Sequence, residues 1–322
     1  MSERSLCGNC SFSRRDRGIA LRSCWICLAT SLVIWSLLAC GCDRTKPAAA
    51  AGGAHTVASL VPAATDLIMG MGASNHLVAV SNYDDDPQTT RLPRVGDYQT
   101  IDWEKLAQIR PTSIITFYGP GRAPAGFAQR ADELKIRQVN LKLDRLQDVY
   151  DSIGVLGEIC GEPQKAVAMA GKIRQRVEAI HKRVAGEPRV RAVLVVRESG
   201  ADLAGRDTFL DDLLTEAGGV NAVTASRYVT LDREGLAALR PQVVLLLLPG
   251  EDEKSVRRVK TMWESIAAAG QDAKGCRVCP LTQTYIEQPG SHVADAAESF
   301  AQALHLPREP ASQPSATAAG AR

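Results

Sequence analysis

Apolar residues in this chain fall into short consecutive runs, separated by stretches with helical spacing. Thr56–Val61, His76–Val80, Ser113–Phe117, Ile136–Leu141, Arg191–Val196, Val243–Leu247 and Arg277–Leu281 are runs of the first kind. Those apolar on successive positions, such as Val243–Leu247, predict strands buried on both faces, as in a parallel sheet. Ala63–Met71, 144–160, Gln164–Val184, Phe209–Ala217, Ser255–Ala269 and Val293–Leu304 read as helices. In Gln164–Val184, Val167, Ala170, Ile173, Val177 and Ile180 recur at helical spacing, and Lys165, Lys172, Arg174, Arg176 and Lys182 take the other faces. A helix of that length spans roughly 30 Å, enough to cross from one lobe to another. Strands alternating with helices predict an α/β fold.

One paragraph of this pattern is written twice. Tyr98, Thr100, Asp102, Glu104, Leu106, Ala107, Arg110 and Pro111 recur as Tyr228, Thr230, Asp232, Glu234, Leu236, Ala237, Arg240 and Pro241, always 130 positions later. So long a period excludes a solenoid and predicts two lobes built alike. Asp102 and Asp232 stand where a helix N-cap belongs. Glu104 and Glu234 follow in the first turn, where the macrodipole favours a carboxylate. Pro111 and Pro241 are expected to stop each helix, because the residue before proline is pushed out of the right-handed helical region. Each copy thus predicts loop, short helix, stop and central strand. Taken singly, either glutamate reads as a helix-start carboxylate; its return at the matched site points beyond that.

The front of the chain departs from this pattern. Arg14, Arg15, Arg17 and Arg22 precede an almost wholly apolar run, Cys24 to Ala39. That run is short for a membrane span and fits a signal-peptide core. It ends in Leu37-Leu-Ala-Cys40-Gly-Cys42, which resembles a bacterial lipobox, with Cys40 the first choice for lipidation and Cys42 the second. Residues 1–42 are therefore expected to be a lipoprotein signal, 43–54 a flexible tether and 308–322 a disordered tail. Cys7, Cys10, Cys24 and Cys27 have zinc-ribbon spacing, but the second pair lies inside the apolar run, so they read as incidental. Cys276 and Cys279 lead into a strand and are expected to be structural or free.

Charge and motifs exclude several classes. The net charge is +2, and the basic residues of the body do not cluster, so nothing points to nucleic acid. The chain has no Gly-x-Ser-x-Gly elbow, phosphate loop or His-Glu-x-x-His. An α/β enzyme lacking a recognisable motif stays as the reading from a different class. The five histidines are scattered without ligand spacing, which argues against a bare metal site.

Several motifs taken in order resemble the periplasmic substrate-binding proteins of vitamin B12, siderophore and haem ABC importers, most of all the vitamin B12-binding branch. They are Ser59-Leu-Val-Pro-Ala-Ala-Thr-Asp66, Val80-Ser-Asn-Tyr-Asp-Asp-Asp-Pro87, the doubled paragraph, Glu216-Ala-Gly-Gly-Val-Asn221 and Pro280-Leu-Thr-Gln-Thr-Tyr285. The resemblance implies two Rossmann-like α/β lobes, 55–143 and 189–307, joined by linker helices within 144–188 of which one long helix is the backbone. It implies a periplasmic, lipid-anchored monomer that is no enzyme and holds no cofactor. A corrinoid would be the ligand and an inner-membrane ABC permease the partner; a ferric siderophore or haem is the alternative ligand. By the same resemblance Tyr83, Tyr98, Tyr118, Tyr228 and Tyr285 would line the cleft, and Glu104 and Glu234 would dock on the permease. The chain departs from the B12-binding branch in having Tyr98 and Tyr228 where that branch has tryptophans, and Thr284 and Gln288 where it has an acid and an arginine.

Overall fold

A computed structural model describes residues 55–197, 199–269 and 276–305. The leader, Cys40, Cys42, the tether and the 308–322 tail lie outside the described residues. By contact the chain divides into Met1–Gly52 and Gly53–Arg322, and every element below belongs to the second unit.

The first lobe is a fully parallel sheet in the order β2-β1-β3-β4, formed by β1 (Val57–Ser59), β2 (Leu77–Ala79), β3 (Ser113–Thr116) and β4 (Arg137–Asn140). Helices α1 (Pro62–Gly70), α2 (Trp103–Ile109) and α3 (Phe127–Glu133) connect successive strands. Then come α4 (Leu146–Cys160) and α5 (Pro163–Val184). The second lobe contains β5 (Val190–Val195), β6 (Asp202–Ala204), α6 (Phe209–Glu216), β7 (Gly219–Asn221), β8 (Tyr228–Thr230), α7 (Arg233–Ala238), β9 (Val243–Leu247), α8 (Glu253–Ala269), β10 (Arg277–Leu281) and α9 (Val293–His305). Its sheet runs β10-β9-β5-β6-β8, with β7 also on β5. β6 is antiparallel to both β5 and β8, so β8 runs with β5.

The helix α5 bridges the two lobes. Near its start, Lys165 Nζ donates to the Gly72 carbonyl at 3.1 Å. Near its end, His181 lies 3.0 Å from Glu216 of α6. Gly161, at φ 69°, makes the left-handed turn between α4 and α5.

Period-two alternation sorts the strand side chains into distinct cores. Val193, Val195, Val244 and Leu246 pack with Trp263 of α8 in an outer core of the second lobe. Ile114 joins Leu106 and Phe127 in an outer core of the first lobe. The opposite faces, Val57 and Ile115 from one sheet and Ala192, Leu194, Val243, Leu245 and Leu247 from the other, belong to a single large cluster with α4, α5 and α9. Consecutive apolar residues were thus the mark of strands covered on both sides, and the two lobes share one core.

Three features depart from the sequence reading. Tyr228–Thr230 is a strand, not a loop; it pairs along β6 by backbone bonds, and its half-exposed residues carried no apolar signature. The short elements α3, β6 and β7 were passed over. The repeated helices do end before their prolines, but Arg110 (φ 53°) and Arg240 (φ 45°) adopt left-handed backbone rather than the extended form that proline favours. In the first copy this lets the Arg110 N–H reach the Leu106 carbonyl at 2.8 Å, which satisfies an orphan acceptor.

Candidate ligand-binding site

In each lobe, α2 and α7 start where parallel strands end, the level at which open α/β sheets bind ligands. Both predicted N-caps are in place. Asp102 accepts from Lys105 N–H at 3.0 Å and Asp232 from Gly235 N–H at 2.8 Å. Glu104 and Glu234 are exposed in these first turns.

Tyr98 sits on the turn before α2. Asp97 builds that turn, accepting from Thr100 and Gln99 N–H at 2.9 and 2.7 Å; these two bonds hold its carboxyl below the usual range. Tyr83 sits on a second tight turn, in which Asp84 accepts from Ser81 N–H at 2.8 Å and Ser81 Oγ from Tyr83 N–H at 3.1 Å. The two rings stack with centroids 6.3 Å apart and planes at 29°, yet Tyr83 stays 60% and Tyr98 50% exposed. Phe117, read from sequence as the end of a strand, is exposed immediately after β3. Tyr228 pairs with Ala204, which pairs with Leu194 near the end of β5, and is 53% exposed. Tyr83, Tyr98, Phe117 and Tyr228 are thus large apolar side chains left exposed rather than packed in a core.

The other two candidate tyrosines are more enclosed. Tyr118 stands edge-on to Phe127, with centroids 5.5 Å apart, in the outer core of the first lobe. Its hydroxyl is enclosed without a partner among the described residues, and burial pushes the phenol up. Tyr285 stacks on His292 at 5.1 Å and packs against the shared core.

Beside Tyr228 a cavity of about 570 Å³ is lined by Val196, Arg197, Asp202, Thr230 and Glu287 among others. Sequence reasoning missed Glu287, which follows Tyr285 in a segment without periodicity. Burial pushes the Tyr228 phenol up, with Glu287 adding to it. A raised phenol suits a neutral ring that stacks and hydrogen-bonds better than an anionic one. Cys276 and Cys279 are free thiols. Among the described residues no group of three histidines, cysteines or carboxylates is placed to hold a metal ion.

Polar contacts also tie the lobes. Arg145, at the start of α4, donates from Nε to Asp212 Oδ2 at 2.9 Å, from Nη2 to Asp212 Oδ1, and from Nη1 to Asp207 at 3.3 Å. Leu146 N–H donates to the same Asp212 oxygen at 2.9 Å, and Arg227 Nη2 to Asp144 at 2.8 Å. Elsewhere Asp66 of α1 accepts from the Ser291 hydroxyl at 2.9 Å and from its N–H. A Cβ on Gly290 would lie 2.2 Å from Asp66, so only glycine allows this approach.

Residues 57–271 match the family model described as "Periplasmic binding protein". The chain belongs to this family. As a periplasmic binding protein it falls in the class serving vitamin B12, haem and siderophore importers. It is 26% identical over 261 residues to the vitamin B12-binding protein of Vibrio cholerae serotype O1, covering 79% of this chain and 90% of that one. The crystal structure of the periplasmic vitamin B12-binding protein BtuF of Vibrio cholerae superposes with a TM-score of 0.64 at 25% identity, covering 78% of this chain and 96% of that one. A periplasmic haem-binding protein from Pseudomonas aeruginosa shares the fold, with a TM-score of 0.66 at 23% identity over 78% of this chain and 92% of that one.

Proposed function

We propose that this periplasmic binding protein captures a corrinoid between its lobes and delivers it to the permease of an ABC importer. The observation that carries the reading is the set of exposed tyrosines at the sheet ends: the Tyr83–Tyr98 stack on one lobe and Tyr228 on the other. A corrin ring offers broad apolar faces and amide edges, and phenols both stack on such faces and hydrogen-bond to such edges. Tyr118 and Tyr285, the other two rings assigned to the cleft, are half-buried. The relatives named for vitamin B12 agree with this ligand.

Tyr98→Ala or Tyr228→Ala is expected to weaken cyanocobalamin binding by about 1–2 kcal/mol, near a factor of ten. Calorimetry on the purified body measures this. Unchanged affinity in both variants would remove these rings from the site. Binding of haemin or a ferric siderophore with none of any corrinoid would replace the ligand and leave the class intact.

The reading includes a lipid anchor, which rests on the sequence of residues 1–42. Metabolic labelling with a palmitate analogue is expected to mark the wild type and not the Cys40→Ser, Cys42→Ser variant. Equal labelling of the two would exclude the anchor.

A further inference from the structure

The cavity beside Tyr228 has an unspent polar group. Asp202 is fully engaged: Ser199 Oγ donates to one oxygen at 2.9 Å and Thr230 Oγ1 to the other. Arg197 stands at the mouth, 3.9 Å from Asp202 and largely exposed. Glu287 differs from both. Its Oε1 is enclosed and has no hydrogen-bond partner among the described residues, although its residue lines the open cavity. A buried carboxyl oxygen left without a partner costs stability, so its retention at the wall of a binding cavity points to a partner that arrives with the ligand.

We propose that Glu287 is a specificity-determining residue of the second lobe: its carboxylic acid donates a hydrogen bond to a carbonyl oxygen on the edge of the ligand. The proposal rests on the corrinoid reading, because an amide-fringed macrocycle presents such carbonyls. The surroundings keep the acid protonated. Burial pushes Glu287 up to about 8, and Arg197 opposes this only in part. The other ionisable groups on this wall are Asp202 and Tyr228, with Arg227 and Asp144 flanking Tyr228. Burial and Glu287 raise the Tyr228 phenol from 10.0, away from the range between pH 7 and 9 in which Glu287 changes charge. A neutral acid donates its O–H to an amide carbonyl, whereas an ionised carboxylate has no proton to give and repels that oxygen. The cavity thereby discriminates by edge chemistry while the tyrosines recognise the flat face.

The test is calorimetric titration of wild type and Glu287→Gln with cyanocobalamin at pH 7 and pH 9. Only the protonated fraction binds fully, so wild-type affinity is expected to fall about tenfold across this range. The Glu287→Gln variant keeps a donor at every pH, and its affinity is expected to stay flat. Equal pH profiles for the two proteins, with corrinoid bound, would overturn the donor and leave the ligand reading standing. No corrinoid binding by wild type at either pH would overturn the ligand reading, and the donor with it.

A second measurement needs no ligand. A carboxyl raised from 4.5 in the unfolded chain to about 8 in the fold keeps its proton longer in the native state. Its contribution is full below the lower value and is lost as pH rises to the upper one. The melting temperature of wild type relative to Glu287→Gln is therefore expected to drop between about pH 5 and 8 and level off above. A constant difference over that range would show that the acid is ionised at neutral pH and would overturn the proposal.

Discussion

Transport is expected to fail in the Glu104→Ala, Glu234→Ala double variant while ligand affinity of the free protein stays the same. Both carboxylates are exposed at the first turn of α2 and α7, and neither touches the cavity beside Tyr228. Their capping partners are other residues, Asp102 and Asp232, so removing them leaves each helix its N-cap. Losing a first-turn charge costs under about 1 kcal/mol of stability. The effect is expected instead on association with the permease. A carboxylate paired with a permease arginine and partly desolvated couples by about 2–5 kcal/mol, so losing two weakens docking by several orders of magnitude. Reconstituted vesicles containing the cognate permease give the measurement. Undiminished uptake would reduce both residues to the helix-start carboxylates that either resembles alone.

The second large effect concerns the tie between the lobes. Asp212→Ala is expected to destabilise the protein by roughly 2 kcal/mol. Asp212 is the meeting point of three hydrogen bonds, two from Arg145 and one from the Leu146 backbone. The Arg145 side chain is 41% exposed, so solvent screens part of the ionic gain; most of the loss comes from the stranded Leu146 N–H. For a body of this size that corresponds to about 4–8 °C in melting temperature. Arg145→Lys keeps the charge but loses the planar fork, and should cost clearly less. A melting temperature within a degree of wild type for Asp212→Ala would show that the shared apolar core alone fixes the lobes.

Much of this architecture could be read from the chain because its signals are local. Val243–Leu247 is apolar at every position and became a central strand. Asp102 and Asp232 announced helix starts three residues before the N–H groups they cap. The long α5 followed from its apolar stripe, Ala170, Ile173, Val177 and Ile180. What escaped depends on distant partners. β8 exists because β6 lies alongside it, and nothing within Tyr228–Thr230 says so. Arg110 and Arg240 take a backbone form that their side chains do not favour. Glu287 is indistinguishable in sequence from a solvated glutamate; only the fold brings it to one cavity with Val196, Arg197, Asp202 and β8. Which tyrosines are exposed and which half-buried was not legible, since the enclosure of Tyr118 and Tyr285 depends on Phe127 and His292.

The shared core has a kinetic consequence. A hinge requires a seam that can part, and here the inner faces of both sheets belong to one packed cluster with α4, α5 and α9. Exposing even about 400 Å² of such apolar surface would cost about 10 kcal/mol. Opening on that scale is too rare to gate capture. If the ligand enters past exposed rings such as Tyr83 and Tyr98, entry is expected to need only side-chain rotation, on a picosecond-to-nanosecond scale. The rate of capture is set by diffusion and orientation, and differences between ligands appear in how long each one stays.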